Sequence, residues 1–335
     1  MSLRNNVWRK VFFALLFAAV VFGLSGLSTT AEAESAHLTM GTFKSGSGWY
    51  VLGQAISQAV KAKLPAGSTV DVMPYSGGVG NPMLLQQGKI NVGLGFPFLT
   101  ILAMQGEAPY KKPAKELRML VGGLDTYWYL FSMAKGTGIT SFEQLKQKKF
   151  PLNLVMTPRG STGEWMNSAV LKTYGVTFDD IKKWGGRVTL TSFGNTIKMM
   201  KDGQANAFGH VATPGHPAWT ELATMVKLNF FSVDREKTKS LAAKYGFTKS
   251  FIPKGTFQGL DKDLPALGWA SSLITTAKLP DSVAYTITKT VCESKADLVA
   301  TYKGAKVFDP AKAWDTPVPL HPGALKYYKE KGHKK

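Results

Sequence analysis

One device recurs along this chain. A short apolar run passes through a loop rich in Gly, Ser, Thr or Pro into the start of an amphipathic stretch. It stands at 41–49, 74–82 and 156–164, with a Pro/Gly/His version at 211–218. Strand-length apolar runs alternating with helical patterns read as βαβ units, and so as an α/β fold. Strands are expected over 37–42, 68–74, 90–94, 151–156, 188–192 and 205–211, with extended crossings over 117–124 and 127–133. Helices are expected over 49–63, from 81–82 onward, over 142–146, from the third loop to about 174, and over 196–202. The second of these starts on Asn81-Pro82, with Asn as N-cap and Pro at the first helical position. Two such sets joined by extended crossings give two lobes around a cleft.

The N-terminus is read apart from the fold. Arg4, Arg9 and Lys10 precede the apolar run 11–22, and Ala31-Glu32-Ala33 follows after a stretch of small residues. A basic stretch, a short apolar stretch and an A-x-A site form the signature of a secretory signal peptide, residues 1–33. An uncleaved anchor would need about 20 apolar residues, and Gly23, Ser25, Gly26 and Ser28 cut this run short. The expectation is a soluble, exported, periplasmic protein. Its single cysteine, Cys292, rules out an intrachain disulfide framework and any cysteine-rich zinc module.

Charge narrows the partners. Lys and Arg number 41 against 22 Asp and Glu, a formal net charge of +19, of which the leader supplies a net two. The sign favours nucleic acid, an anionic membrane or a small anion. Export, dispersed basic residues and the lack of a recognition motif speak against nucleic acid.

The loops themselves point to a small anion. Helix starts carry unpaired N–H groups and about half a positive charge, so they receive carboxylates, phosphates or sulfates. Glycine lets the anion approach the backbone, and hydroxyls add donors. In a doubly wound sheet, loops at the carboxyl ends of strands line one crevice. Ser and Gly also cap helices with no ligand present, and Ser161-x-x-Glu164 is itself a capping box. Lys44 and Arg159 lie inside two of the loops, where Arg would meet a carboxylate bidentately. Trp49, Tyr50, Phe96, Phe98, Trp128, Trp165 and Trp219 crowd the same region, as pocket wall or as core.

Signals for catalysis are poor. Gly46-Ser47-Gly48 lacks the third glycine of a dinucleotide fingerprint, and there is no Walker A sequence or G-x-S-x-G elbow. Ser132-x-x-Lys135 lies on an expected strand without its companion motifs. No two of the five histidines have helical metal spacing, so no metal site, cofactor or catalytic residue is expected.

Taken in order, several segments resemble the TAXI-type solute receptors of tripartite ATP-independent periplasmic (TRAP) transporters. They are 41–53, Ser76-Gly77-Gly78 with Asn81, 88–92, Gly160-Ser161-Thr162-Gly163, 202–207, Gly215-His216-Pro217, Leu279-Pro280-Asp281 with Tyr285, and 320–324. The resemblance implies a type II periplasmic-binding-protein fold. Lobe one is placed at 34–126 plus 268–335 and lobe two at 127–267. It also implies a monomer that captures a small organic anion by hinge closure and delivers it to a TRAP-type membrane permease. Carried over by position, Thr42, Ser45, Ser47, Tyr50, Gly78, Asn81, Ser161, Thr162 and Gly163 contact ligand, and His216 and Pro217 close the pocket. Lys44 and Arg159, together with 95–98, depart from the usual pattern and hint at an anion with a larger apolar part. A sensory receptor for a membrane kinase and a periplasmic enzyme on the same scaffold are the alternatives.

Overall fold

A computed structural model describes residues 34–333; the leader reading of 1–33 lies outside them. The chain runs β1 (His37–Gly41), α1 (Gly48–Lys61), β2 (Thr69–Met73), α2 (Gly80–Gln86), β3 (Val92–Gly95), α3 (Pro97–Gln105) and β4 (Leu117–Val121). It crosses to β5 (Thr126–Ala134), α4 (Phe142–Gln147), β6 (Asn153–Met156), α5 (Thr162–Thr173), α6 (Phe178–Lys183), β7 (Arg187–Leu190), α7 (Phe193–Lys201) and β8 (Ala207–Ala212). Then come α8 (Pro217–Met225), β9 (Leu228–Phe231), α9 (Arg235–Tyr245), β10 (Thr248–Ile252) and β11 (Leu264–Ala270). The return is β12 (Ser272–Thr276), α10 (Asp281–Glu293), α11 (Lys295–Thr301) and α12 (Pro322–Glu330).

Local chemistry explains the elements nearest the cleft. Ser47 caps α1 by accepting from Tyr50 N, and Trp49, Leu52, Gly53, Ile56 and Val60 recur at helical spacing on its buried face. Ser161 caps α5 in the same way, accepting from Glu164 N. Pro97 and Pro217 stand at the first positions of α3 and α8, where a missing N–H costs nothing. Strands β3 and β8 are buried at every position, as expected of strands covered on both faces.

The strands form two sheets, β2-β1-β3-β12-β4 and β10-β11-β5-β8-β6-β7, with β9 paired to β5. In the first, β1 lies between β2 and β3 and parallel to both. In the second, β6 lies between β7 and β8 and parallel to both. The orders 2-1-3 and 7-6-8 are the same arrangement built twice. In each, successive connections leave the middle strand in opposite directions and open a crevice at its carboxyl end. This is the two-lobed α/β fold of periplasmic binding proteins.

Two crossings join the sheets. One runs from β4 to β5 through 122–125, and the other from β11 to β12 through Ser271. Asp125 ties them: its carboxylate accepts from the Ser271 backbone N–H (3.2 Å), from Ser271 Oγ, and from Tyr302 OH (3.1 Å). The sheets divide after Ala270, because Gly268–Ala270 pairs with Thr126–Trp128 of β5; the boundary expected at 267/268 cuts through β11.

The α2 start also differs from expectation. Val79, not Asn81, is its N-cap and makes no side-chain cap bond. The Asn81 amide is spent elsewhere, donating from Nδ2 to Gly41 O (3.1 Å), Thr42 O (3.3 Å) and Leu94 O (2.8 Å). It thereby fastens the ends of β1 and β3 at the switch point. Helix α7 starts at Phe193, capped by Ser192, one turn before the expected start. Cys292 is buried in α10, and burial pushes its thiol up to about 12, well out of the reactive range.

Candidate functional site

The two switch points face one another, and a cavity of about 30 Å³ lies between them. The first loop contributes Phe43, Ser47, Gly48 and Trp49, the second Gly78, and the third Thr162. The strand β8 and the fourth loop contribute His210, Val211 and His216, and Phe96 and Tyr127 complete the wall. All four strand–loop–helix devices therefore reach one space. Two larger hollows lie elsewhere. One of about 650 Å³ runs along the edge strand β2. One of about 560 Å³ is bordered by α3 and the end of α9. Neither gathers more than one helix start.

What distinguishes the small cavity is its donors. The first turns of α1 and α5 open on it through Ser47-Gly48-Trp49 and Thr162, while His216 and Phe96 are the N-caps of α8 and α3. Each helix start adds about half a positive charge. No Lys, Arg, Asp or Glu is among the lining residues. The histidines do not supply a charge either. Burial holds His216 down at about 4 and His210 well below its ordinary value, with His216 as a second, smaller cause for His210. Among the lining residues the positive charge comes from helix dipoles alone, in a wall of aromatic rings where low dielectric strengthens each of them, while the buried Asp125 carboxylate acts on Tyr127 from behind that wall.

The lobes touch across this seat. Gly78 of the first lobe lies so close to α5 that a Cβ there would come 2.1 Å from Thr162 Oγ1. Phe43 meets Phe193 at 6.1 Å and stacks on His210 at 6.1 Å, and Phe98 meets Trp165 at 5.4 Å. Apolar surface buried between the sheets therefore adds to whatever a ligand would contribute to holding them together.

The residues expected at the site are distributed as follows. Ser47, Gly78, Thr162 and His216 line the cavity. Thr42 is fully buried and directs its hydroxyl to Phe43 O (3.1 Å) and Met73 O (3.2 Å), and Asn81 is the tie described above. Ser161 caps α5 and bonds Thr157, while Gly163 lies against the His210 ring. Tyr50 is half-buried and outside the lining. Lys44, Ser45, Arg159 and Pro217 are exposed, also outside it. Of the aromatic residues, Trp49 and Phe96 form wall, whereas Trp219 is core and Trp128 donates to Ser250 Oγ (3.0 Å) in the second lobe.

Sequence patterns pass over Phe43, Tyr127 and His210. For His210 one signal exists: it is the one strongly polar side chain in the otherwise apolar β8, two residues from the strand end that meets the cleft. Phe43, just past β1, and Tyr127, at the start of β5, carry none, because an aromatic residue in or beside a strand looks the same in a core as in a pocket.

A family model described as the NMT1-like family matches residues 40–332. Among solved structures, MatC from Rhodopseudomonas palustris with bound malate is similar with a TM-score of 0.53 and 13% identity, over 88% of this chain and 96% of that one. The periplasmic binding protein BugD is similar with a TM-score of 0.50 and 13% identity, over 90% of this chain and 94% of that one. At such identities the likeness is one of fold.

Proposed function

The chain belongs to the NMT1-like family, and on that premise we propose that it is an exported solute-binding protein that captures a small organic anion between its lobes. The carrying observation is the convergence of four helix starts from both lobes on one cavity that holds no charged side chain. A carboxylate group placed in the space of about 30 Å³ takes N–H groups from α1 and α5 and hydroxyls from Ser47 and Thr162. The rest of the acid is seated only when the lobes ease apart along Phe43, Trp49, Phe96 and Tyr127.

Contacts from both lobes are complete only when the lobes are together. A ligand therefore shifts the population toward the closed form by its differential affinity for that form. The Asp125–Ser271 tie holds the two crossings in register while the sheets move. We further assign the closed form as the shape presented to a membrane permease, of the TRAP type by the resemblance above, with the protein acting in the periplasm and turning nothing over. Among the described residues no helix is long and apolar enough to cross a membrane.

Mass spectrometry of small molecules released by denaturing the purified protein tests the reading directly. Calorimetric titration of refolded protein with malate, succinate, glutamate, 2-oxoglutarate and phenylacetate accompanies it. A carboxylate in the eluate, or heat from at least one of the panel, is expected. A protein that carries no anion and ignores the whole panel overturns the reading.

A further inference from the structure

Behind the cavity, three buried side chains form one line of hydrogen bonds. Ser161 Oγ lies 2.7 Å from Thr157 Oγ1, which lies 3.2 Å from His210 Nδ1. Their protons can be placed by elimination. Ser161 Oγ accepts the Glu164 N–H as cap of α5 (3.2 Å), and its own proton has Thr157 as the one acceptor among the described residues. Were Thr157 to donate to Ser161, the Ser161 proton would be buried without an acceptor. Were Thr157 to accept from both neighbours, its own proton would be orphaned. Each arrangement leaves a buried hydroxyl proton unsatisfied, which folded proteins avoid. Only one satisfies both hydroxyls: Ser161 donates to Thr157, and Thr157 donates to His210 Nδ1. A neutral imidazole that accepts at Nδ1 carries its proton on Nε2.

Packing fixes the ring in this pose. Its Nδ1 side lies on the first turn of α5, where a Cβ at Gly163 would come 2.1 Å from Nδ1, so only glycine admits the ring there. Phe43 and Phe208 stack on it (6.1 Å at 29° and 6.0 Å at 18°), and Phe193 meets it edge-on at 5.0 Å. His216, 5.7 Å away and with its own Nδ1 unpartnered, is the titratable group that acts on it. His210 Nε2 has no hydrogen-bond partner among the described residues, and the residue lines the cavity.

We infer that the Ser161–Thr157 relay locks His210 in the Nε2–H tautomer, and that this neutral N–H is a specificity-determining donor for an anionic oxygen of the ligand. The inference rests on the binding reading above and narrows it. Helix starts and the imidazole N–H together make a seat of donors, which accepts a carboxylate and rejects a carboxamide or ammonium group that would bring further N–H bonds to it. Because the donor is uncharged, proton uptake does not accompany binding near neutrality.

Selective ¹⁵N-histidine labelling tests this on the full chain, which has five histidines. Long-range ¹H–¹⁵N NMR reports the tautomer of each, and His210→Gln removes one set of signals and so assigns it. The Nε2–H pattern is expected at pH 7 in wild type and in Thr157→Ser, which keeps the hydroxyl, and a tautomer mixture in Thr157→Val. An Nδ1–H pattern or an imidazolium overturns the relay. With L-malate and succinate as probes, the Nε2 signal should shift, malonamate and succinamate (a carboxamide in place of one carboxylate) should bind more weakly than malonate and succinate, and Thr157→Val should lose about 3- to 10-fold in affinity. A probe that binds while Nε2 stays unmoved overturns the donor role. A panel that does not bind at all overturns the proposed function instead, and the free-protein tautomer still decides the relay.

Discussion

The contact between Gly78 and Thr162 makes lobe closure open to a one-atom test. In Gly78→Ala the new methyl carbon would sit 2.1 Å from Thr162 Oγ1, and 3.0 and 3.1 Å from Leu99 and Phe96. An ordinary contact between carbon atoms is about 3.5 Å, so the first distance falls short by more than an ångström. Thr162 has little room to swing away, because it is buried in the first turn of α5. Leu99 and Phe96 belong to the same lobe as Gly78, so their crowding burdens open and closed forms alike. The Thr162 clash belongs to the closed form alone. Overpacking of this kind costs about 1–3 kcal/mol, which lowers the closed population, and any affinity that depends on it, by about 5- to 150-fold. Small-angle X-ray scattering with and without a saturating probe carboxylate such as L-malate measures closure, and calorimetry measures affinity. Gly78→Ala should stay expanded at probe concentrations that compact wild type. Adding Thr162→Ala, which deletes the offending oxygen, should restore compaction even where it weakens binding. If Gly78→Ala closes and binds as wild type does, the lobes do not meet at this point and the reasoning fails.

Asn81→Ala should lower stability by about 2–4 kcal/mol, since three buried carbonyls lose their shared donor, and thermal unfolding would show it; a change below 1 kcal/mol would contradict the tie. Stability should fall on acidification, because burial holds both His210 and His216 below their ordinary value. His216 binds its proton at about 6.5 when unfolded but only near 4 when folded, so its contribution is complete above about 6.5 and declines by about 3 kcal/mol toward pH 4, and His210 adds a loss of the same sign. Asp125 acts in the opposite sense. Burial raises it to about 6 despite bonds from Ser271 and Tyr302, so its charge burdens the fold above that pH and the burden lifts as pH drops toward 4. Asp125→Asn removes this offset: its melting temperature should fall more steeply than that of wild type between pH 6.5 and 4, and parallel curves would refute the assignment. Trp219→Ala, at a fully buried side chain in the second lobe, should cost about 3–5 kcal/mol in chemical denaturation without loss of specificity among bound probes.

Much of the architecture was legible because it is written in local terms. Short apolar runs and helical patterns, with Gly/Ser/Thr/Pro-rich loops between them at Ser47, Ser161 and Pro217, mark the strand–loop–helix devices and hence the α/β class; the helix that starts at Pro97 was not among them. The family resemblance added two lobes and the order of the chain between them. Ser47, Gly78, Thr162 and His216 were within reach for the same reason: each sits in a loop whose composition announces a helix start.

What local sequence does not carry is direction and distance. Lys44 and Arg159 stand in the right loops yet are exposed, because in a short loop a change of one residue turns a side chain from cleft to solvent. Asn81 reads as a cap and proves to be a fastener, since the carbonyls it binds come from 39, 40 and 13 residues away. Nothing local shows that His210 lines the cavity with its Nδ1 on Thr157, 53 residues earlier. The sequence by itself determined which elements form and what sign of charge their starts carry. Only the packing of two sheets decided which starts share one space, because that depends on contacts between residues far apart along the chain, whose closure no local pattern encodes.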